Sequence, residues 1–357
     1  MRHKGRRSGD KDKQGTTQLP RIRHEHFVSR LEGDVMESIK RFGVIGVGHL
    51  GQHHARVYTE LLDARLVGVA DNDPERARSI GAHLGVPAYG SLEELIDRQA
   101  PDAVSIVVPT SLHYEIAKRA MEAGLHVLIE KPVTTRPEEA EDLLRLAAEK
   151  DLVLQVGHIE RFNSAIRYIS QTAHKPIYLE SKRIGPFSPR INDVGVVLDL
   201  MIHDIDIVLS LVPSPIARIA AAGACVSTEH EDIADAQITF ENGVVAHILV
   251  SRVSEKKLRQ LEIMERQRQI TVNYETQTVQ INRCVSSSDG QMEILESPIF
   301  PKNEPLKLEL AHFVSCVRDR RQPLVGIRDG KRALEVAIEV LRQIHDGAAA
   351  SGERATA

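Results

Sequence analysis

The sequence predicts an α/β protein, with a doubly wound parallel sheet in the N-terminal half and a separate α+β domain after it. Three observations carry this expectation. From Phe42 onward, short apolar runs alternate with amphipathic stretches. The first run ends in Gly46-x-Gly48-x-x-Gly51. After residue 175 the alternation gives way to successive strand-like stretches, the mark of a second sheet that follows complete βαβ units.

At 357 residues the chain exceeds what one hydrophobic core usually organises, so two domains are expected. We divide it into a basic, disordered tail (1–38), a nucleotide-binding domain (39–158), a substrate and oligomerisation domain (159–347) and a disordered C-terminal tail (348–357). Residues 1–30 hold nine Lys/Arg and three Asp/Glu, a net of +6 within an overall −4, which leaves −10 for the rest. A mildly acidic body does not read as a nucleic-acid surface. The tail, "MRHKGRRSGDKDKQGTTQLP", lacks periodicity and fits a solvated arm. An electrostatic arm toward anionic lipid or nucleic acid and a chain start at Met36 stay open beside that reading. No apolar run approaches the roughly 18–20 residues a membrane span needs, and the N-terminus lacks a signal-peptide core, so a cytoplasmic protein is expected. Cys225, Cys284 and Cys316 stand far apart without CxxC spacing, which suggests neither a disulfide framework nor a zinc site.

The strand candidates in order are "FGVIGV" (42–47), "RLVGVA" (65–70), "AVSIVV" (103–108), "HVLIE" (126–130) and "LVLQV" (152–156), with helix-like segments such as "RPEEAEDLLRLAAEK" between them. Buried strands alternating with helices imply a parallel sheet covered on both faces. Beyond residue 175 come "PIYLESKRIG", "IARIAAAGACVS", "IADAQITF" and "VVAHILVSR", with Glu241-Asn242-Gly243 as a hairpin turn. A final amphipathic helix, "RDGKRALEVAIEVLRQIH", should pack back on the body.

The glycine triplet has a physical reading. Gly46 permits a tight turn, Gly48 lets a pyrophosphate approach the backbone, and Gly51 lets helix and strand pack closely, with His49 and Leu50 on the same turn and phosphates at the helix N-terminus. Asp71, twenty residues after Gly51, ends the second strand, where an acid can accept hydrogen bonds from a ribose. Its charge and the following Asn72 favour NAD over NADP, although Arg76 and Arg78 lie close in sequence. Ligands in such sheets bind beyond the carboxyl ends of strands, so Pro109, Thr110 and His113 of "VVPTSLHYE" and Glu130 and Lys131 of "HVLIEKP" join the cofactor candidates.

In "VVLDLMIHDIDIVLSLV" (196–212), Asp199, His203, Asp206 and Ser210 fall at i, i+4, i+7 and i+11, a polar stripe along an otherwise apolar helix. Such a stripe should face something polar.

Together "GVIGVGHLGQHHA", "VVPTSLHYE", "LIEKPVT" and "DLMIHDID" resemble the Gfo/Idh/MocA oxidoreductase family, in the same order and over roughly residues 40–345. The resemblance implies a Rossmann domain followed by a large, mostly antiparallel sheet, with substrate between that sheet and the nicotinamide. It implies Lys131, Asp199 and His203 as the active-site group: His203 or Lys131 as the base that takes a hydroxyl proton, Asp199 as an orienting or sugar-binding carboxylate, and no metal. It also implies a dimer or tetramer formed through the outer face of the second sheet. The segments "VGHIERFNSA" and "GPFSPRINDVGVVLDLMIHDID" look most like the branch of the family that oxidises C3 of UDP-N-acetylglucosamine ahead of a sugar aminotransferase in lipid A synthesis. That substrate wants cations and hydrogen-bond donors, for which His158, Arg161, Asn163, Ser188 and Arg190 are the candidates. One departure from relatives is Ser164, where proline is frequent. Dehydrogenation of another polyol or sugar, such as inositol or a UDP-sugar uronate, and a non-catalytic NAD sensor are the alternatives.

Overall fold

The computed structural model describes residues 39–187, 194–287 and 290–350. The basic tail expected at 1–38, residues 351–357, and the substrate candidates Ser188 and Arg190 lie outside the described residues.

The first sheet follows the apolar runs. Its elements are β1 (Lys40–Ile45), α1 (Gly51–Glu60), β2 (Ala64–Ala70), α2 (Pro74–Leu84), β3 (Ala88–Tyr89), α3 (Leu92–Gln99), β4 (Ala103–Ile106), α4 (His113–Glu122), β5 (His126–Glu130), α5 (Pro137–Glu149) and β6 (Leu154–Gly157). The helices start where the local chemistry allows. Asp73 caps α2 by accepting from the N–H groups of Glu75 and Arg76, with Pro74 in the first turn and Gly85 at φ +68° closing the other end. Ser91 caps α3 in the same way through Glu94 N–H.

The strand order is β3-β2-β1-β4-β5-β6, all parallel. Direction reverses between β1 and β4, and a crevice opens at such a switch point beyond the strands' carboxyl ends. The edge strand β3 did not figure in the sequence reading, because two residues are too few to form an apolar run.

The second sheet begins after α6 (Ser164–Thr172). It comprises β7 (Tyr178–Ile184), then, after α7 (Ile202–Leu211), β8 (Ile216–Ala224), β9 (Ile233–Phe240), β10 (Val245–Ser251), β11 (Leu258–Glu265), β12 (Arg268–Asn273), β13 (Thr278–Ser287) and β14 (Gly290–Glu296). The eight strands run in the order β14-β13-β12-β11-β7-β10-β9-β8. Every neighbouring pair is antiparallel except β7 and β10. The hairpin between β9 and β10 turns on Gly243 at φ +84°, a conformation that glycine adopts without a Cβ penalty.

Helices α8 (Pro305–Asp319) and α9 (Ile327–Ala350) complete the chain, and α9 runs three residues into the stretch expected as a disordered tail. Both sheets belong to one compact unit that begins at Ile39. Helix α7 buries Ile202, Ile205 and Val208 in one core with Ile238, Ile248 and Ile263 of the second sheet. That packing sets the start of the stripe, at Asp199, beside Lys131 at the end of β5. Among the described residues no helix is long and apolar enough to cross a membrane.

The stripe helix is not uniform. Val197–Met201 forms a π turn ahead of α7, where the sequence predicts one regular helix. The buried Glu231 fixes its start: its carboxylate accepts from Val197 N–H at 3.1 Å and its carbonyl from Val196 N–H at 3.0 Å. A Cβ on Gly195 would lie 1.9 Å from that carboxylate, so only glycine fits. A π turn holds more than 3.6 residues, which rotates Asp199 relative to the residues that follow.

Candidate active site

The three glycines do three different jobs. Gly46 sits at φ +84°, and a Cβ there would come within 2.3 Å of Val107 O. A Cβ on Gly51 would come within 1.8 Å of Gly46 O, so this glycine lets α1 press against the turn. A Cβ on Gly48 would meet nothing within 4 Å: it would project into the open cradle. No side chain caps the first turn of α1, in contrast with α2 and α3, which leaves backbone donors for an anion.

A pocket of about 570 Å³ adjoins this turn, lined by Gly46, Gly48, Asp71, Asn72, Pro109 and Arg76 among others. Asp71 is 6% exposed and accepts from Val47 N–H at 2.8 Å and Asp73 N–H at 2.9 Å, with Arg76 at 3.3 Å. It thus ties the glycine turn to the end of β2 while its edge faces the pocket. Arg76 and Arg119 line the pocket as well. His49 and Leu50 are exposed on the turn outside that lining, and Thr110 opens the 3-10 turn that leads into α4.

Two predicted cofactor residues are otherwise engaged. His113 is 1% exposed, and its ring nitrogens lie 2.8 Å from Pro132 O and 2.9 Å from Val108 O. Its ring clamps the loop after β4 to the loop after β5 and is closed to a ligand. Burial pulls its pKa below the ordinary value, against the pull of the two carbonyls. Glu130 turns away from the crevice to His54 Nε2 at 3.1 Å, on α1. Burial pushes the carboxyl up, but His54 and the neighbouring Lys131 outweigh it and hold it below its ordinary value. Beneath it, Glu309 is fully buried with no partner for either oxygen among the described residues; burial, then the Glu130 charge, raise its pKa well above the carboxylate range, so it is a neutral acid.

Lys131 points into the crevice. Its Nζ donates to Asp199 O at 2.8 Å and lies 3.4 Å from Asp199 Oδ1, with both side chains less than one-fifth exposed. This joins the end of β5 to the π turn. His203, half-buried one turn further on, has a buried Nδ1 without a partner among the described residues. Burial, reinforced by the charges of Lys131 and Arg183, depresses its pKa well below the ordinary value. The imidazole is therefore neutral at neutral pH and able to take a proton. His158, at the end of β6, is 1% exposed with neither ring nitrogen partnered among the described residues, and burial lowers its pKa as well.

The remaining substrate candidates have partners within the protein. Arg161 is bound to Asp206 at 2.7 Å and lies 3.6 Å from Asp329, so its charge is neutralised inside the protein. Asn163 caps α6: its Oδ1 accepts from Ala165 N–H at 3.1 Å and its Nδ2 donates to Tyr274 O at 2.9 Å, which occupies the amide. Ser164 is then the first residue of that helix, a position that also suits proline. Ser210 leaves the stripe and donates to Ile207 O at 2.7 Å. Sequence reasoning missed Arg183 and Asp204, a buried pair at 2.8 Å that fixes α7 to β7, with Glu160 at 2.9 Å. A basic residue in a strand and an acid in an apolar helix were the available signal.

The residues fit NAD: an uncapped helix start, a glycine whose Cβ would fill the cradle, and a carboxylate at the end of β2 are what a dinucleotide needs. Gly46, Gly48, Asp71, Asn72 and Pro109 would hold it.

Comparison with known proteins agrees with this geometry. Residues 40–158 match the model of the GFO/IDH/MocA oxidoreductase family's NAD-binding Rossmann fold, and residues 159–272 that of its C-terminal domain. The chain is 38% identical over 303 residues to UDP-N-acetylglucosamine 3-dehydrogenase of Acidithiobacillus ferrooxidans, which covers 84% of this chain and 96% of that protein. A solved structure of that enzyme superposes with a TM-score of 0.81 at 37% identity, over 86% of this chain and 98% of the other. The NAD-dependent scyllo-inositol 2-dehydrogenase of Bacillus subtilis is 28% identical over 331 residues, 87% of this chain and 96% of that protein.

Proposed function

The chain belongs to the GFO/IDH/MocA family of NAD-dependent oxidoreductases, and from that premise we propose that it oxidises C3 of UDP-N-acetylglucosamine to the ketone. The observation that carries the reading is the Lys131–Asp199 contact beside a neutral His203 at the mouth of the crevice. Similarity to a UDP-N-acetylglucosamine 3-dehydrogenase over nearly its whole length supports the choice of sugar.

In this mechanism His203 takes the hydroxyl proton, since its depressed pKa keeps an acceptor nitrogen free. Lys131 donates to the reacting oxygen and stabilises the negative charge that develops there. Asp199 positions Lys131 through its main-chain and side-chain oxygens. NAD, when bound, supplies the hydride acceptor. Gly46, Gly48, Asp71, Asn72 and Pro109 would hold it to take up the hydride released as the ketone forms, while His203 holds the hydroxyl proton.

A 3-keto sugar nucleotide is a substrate for transamination, so a sugar aminotransferase is the proposed functional partner, in a route to 3-amino sugars of the lipid A type. Both co-substrates are charged and do not cross a bilayer unaided, which favours a cytoplasmic setting, and a dimer or tetramer is proposed by family likeness.

The test is NADH formation by the purified protein with NAD and a panel of UDP-N-acetylglucosamine, its uronate and myo-inositol, pulled forward by a transaminase with glutamate. Turnover confined to UDP-N-acetylglucosamine supports the proposal. Turnover with myo-inositol alone, the chemistry of the second group of relatives, overturns the substrate and keeps the catalytic roles. No turnover, with intact NAD binding, favours a sensor.

A further inference from the structure

Beyond Asp199 the crevice opens into a second pocket of about 340 Å³, walled by the ends of β7, β10 and β11. Its described lining holds four cationic residues, Arg183, Arg252, Lys257 and Arg259, against one acid, Asp199.

The cations are not equivalent. Arg183 is neutralised by Asp204 and Glu160, and Arg252 by Asp232 at 2.6 Å. Lys257 reaches Glu275 from an exposed position. Arg259 is half-buried on β11 and has no ion pair or side-chain hydrogen bond among the described residues. It also stands directly opposite Arg183 in the β7–β11 ladder. Arg183 already has its counter-charges, so Arg259 is the cation of that cross-strand position left without one among the described residues. The one acid of the described lining, Asp199, lies toward Lys131, 3.4 Å from its Nζ. The Arg259 charge is among those felt by His203, so the pocket and the catalytic group are neighbours.

We propose that this pocket is the diphosphate subsite for a nucleotide-linked sugar, with Arg259 as the fork that grips phosphate oxygens and Lys257 as a second cation at the rim. The hexose then runs from the pocket onto Lys131, Asp199 and His203. This assignment rests on the sugar-nucleotide reading above. A guanidinium matches two phosphate oxygens at once, while the lysine ammonium adds a mobile point charge. Arg161 and Asn163 are internally satisfied, so Arg259 supplies the unpaired charge that a diphosphate requires.

The experiment measures kinetics of the full chain and of Arg259→Met, Arg259→Lys and Lys257→Met with UDP-N-acetylglucosamine at saturating NAD. Calorimetric titration of the NADH complex with UDP and with inorganic pyrophosphate accompanies it. Arg259→Met should raise KM about 10- to 100-fold, well beyond any change in kcat, with Arg259→Lys intermediate and affinity for UDP and pyrophosphate falling by a similar factor. Should Arg259→Met fail to fold, Lys257→Met, at an exposed position, must still raise KM several-fold or the proposal falls. Wild-type turnover with KM and UDP affinity untouched in Arg259→Met overturns the subsite and leaves the substrate reading standing. Wild-type binding of pyrophosphate that is lost in Arg259→Met, without turnover of any UDP-sugar, overturns the substrate reading and keeps the anion site.

Discussion

Arg161 and Asp206 form a two-point ion pair inside the protein: Nε donates to Oδ2 at 2.7 Å and Nη2 to Oδ1 at 3.3 Å, with the carboxylate side chain 2% exposed. The pair joins the 3-10 turn after β6 to α7 and so helps set where His203 stands. Arg161→Met would leave Asp206 as an unpaired buried charge, which costs about 3–5 kcal/mol. Denaturant unfolding should register that loss, while KM for the sugar nucleotide shifts far less. A large KM rise with unchanged stability would instead return Arg161 to the ligand-binding set.

His203 and Lys131 make a pH prediction. A base must be unprotonated, and burial with the Lys131 charge holds the imidazole pKa well below its ordinary value. The acid limb of kcat/KM for sugar oxidation should therefore lie below the ordinary histidine range, near 6.5. Lys131→Met removes one of the depressing charges, so the limb of its residual activity should move to higher pH. His203→Asn should lower kcat by about 10²- to 10⁴-fold while NAD affinity, read by fluorescence titration, stays near wild type. An acid limb that stays in place in Lys131→Met would separate the two residues.

How much of this was legible depended on how local the signal was. The strands β1, β2, β4 and β5 are continuous apolar runs, and the glycine turn and Asp71 are fixed by spacing within one βαβ unit, so the nucleotide half could be read directly. The second half of the large sheet was passed over although β11 alternates, with Leu261 and Ile263 inward and Gln260 and Glu262 outward, because a strand with one polar face has low average apolarity. The i, i+4 spacing of Asp199 and His203 was legible in the sequence, while Lys131 joined them only through the family resemblance. The surroundings of these residues were not: whether Asp206 faces substrate or Arg161, and whether His113 meets a cofactor or two backbone carbonyls, depends on partners 45 and 19 residues away. The π turn was hidden too, since the Glu231 carboxylate that meets its first N–H comes from 34 residues further along the chain.

Buried titratable groups give stability a pH profile with two opposed slopes. His126 accepts Val153 N–H at 2.9 Å on Nδ1, and burial, aided by Arg320, lowers its pKa to about 4. Between that value and the ordinary ~6.5, the unfolded chain binds a proton that the native state refuses, so stability rises with pH and is lost as pH falls toward 4. His113 and His158, also depressed by burial, add to the slope. Glu309 acts in the opposite sense: its raised pKa means the native state holds a proton that the unfolded chain has released, so its contribution falls as pH rises above the ordinary carboxylate value. Melting temperature should drop by several degrees from pH 6.5 to 4.5, and His126→Asn should flatten that drop. Glu309→Gln, neutral at every pH, should raise stability at pH 7 by about 1–3 kcal/mol. A destabilised Glu309→Gln would mean that the acid is ionised in the native state.

Gly48 and Gly51, three residues apart, should separate cofactor binding from folding. A Cβ on Gly51 would lie 1.8 Å from Gly46 O, a backbone atom on the turn itself, so Gly51→Ala must push α1 off β1. Overpacking of this kind costs about 1–3 kcal/mol or more, and Gly51→Ala should show a lowered melting temperature before any ligand is added. A Cβ on Gly48 meets nothing within 4 Å, so Gly48→Ala should fold with a melting temperature close to wild type. Its methyl group would occupy the space through which a pyrophosphate nears the backbone, and NAD affinity should fall by about 10- to 100-fold. The expected pattern is one variant that folds and binds poorly, and one that fails first in stability. Equal NAD affinity in Gly48→Ala and wild type would place the pyrophosphate away from this turn and, with it, the nicotinamide away from Lys131.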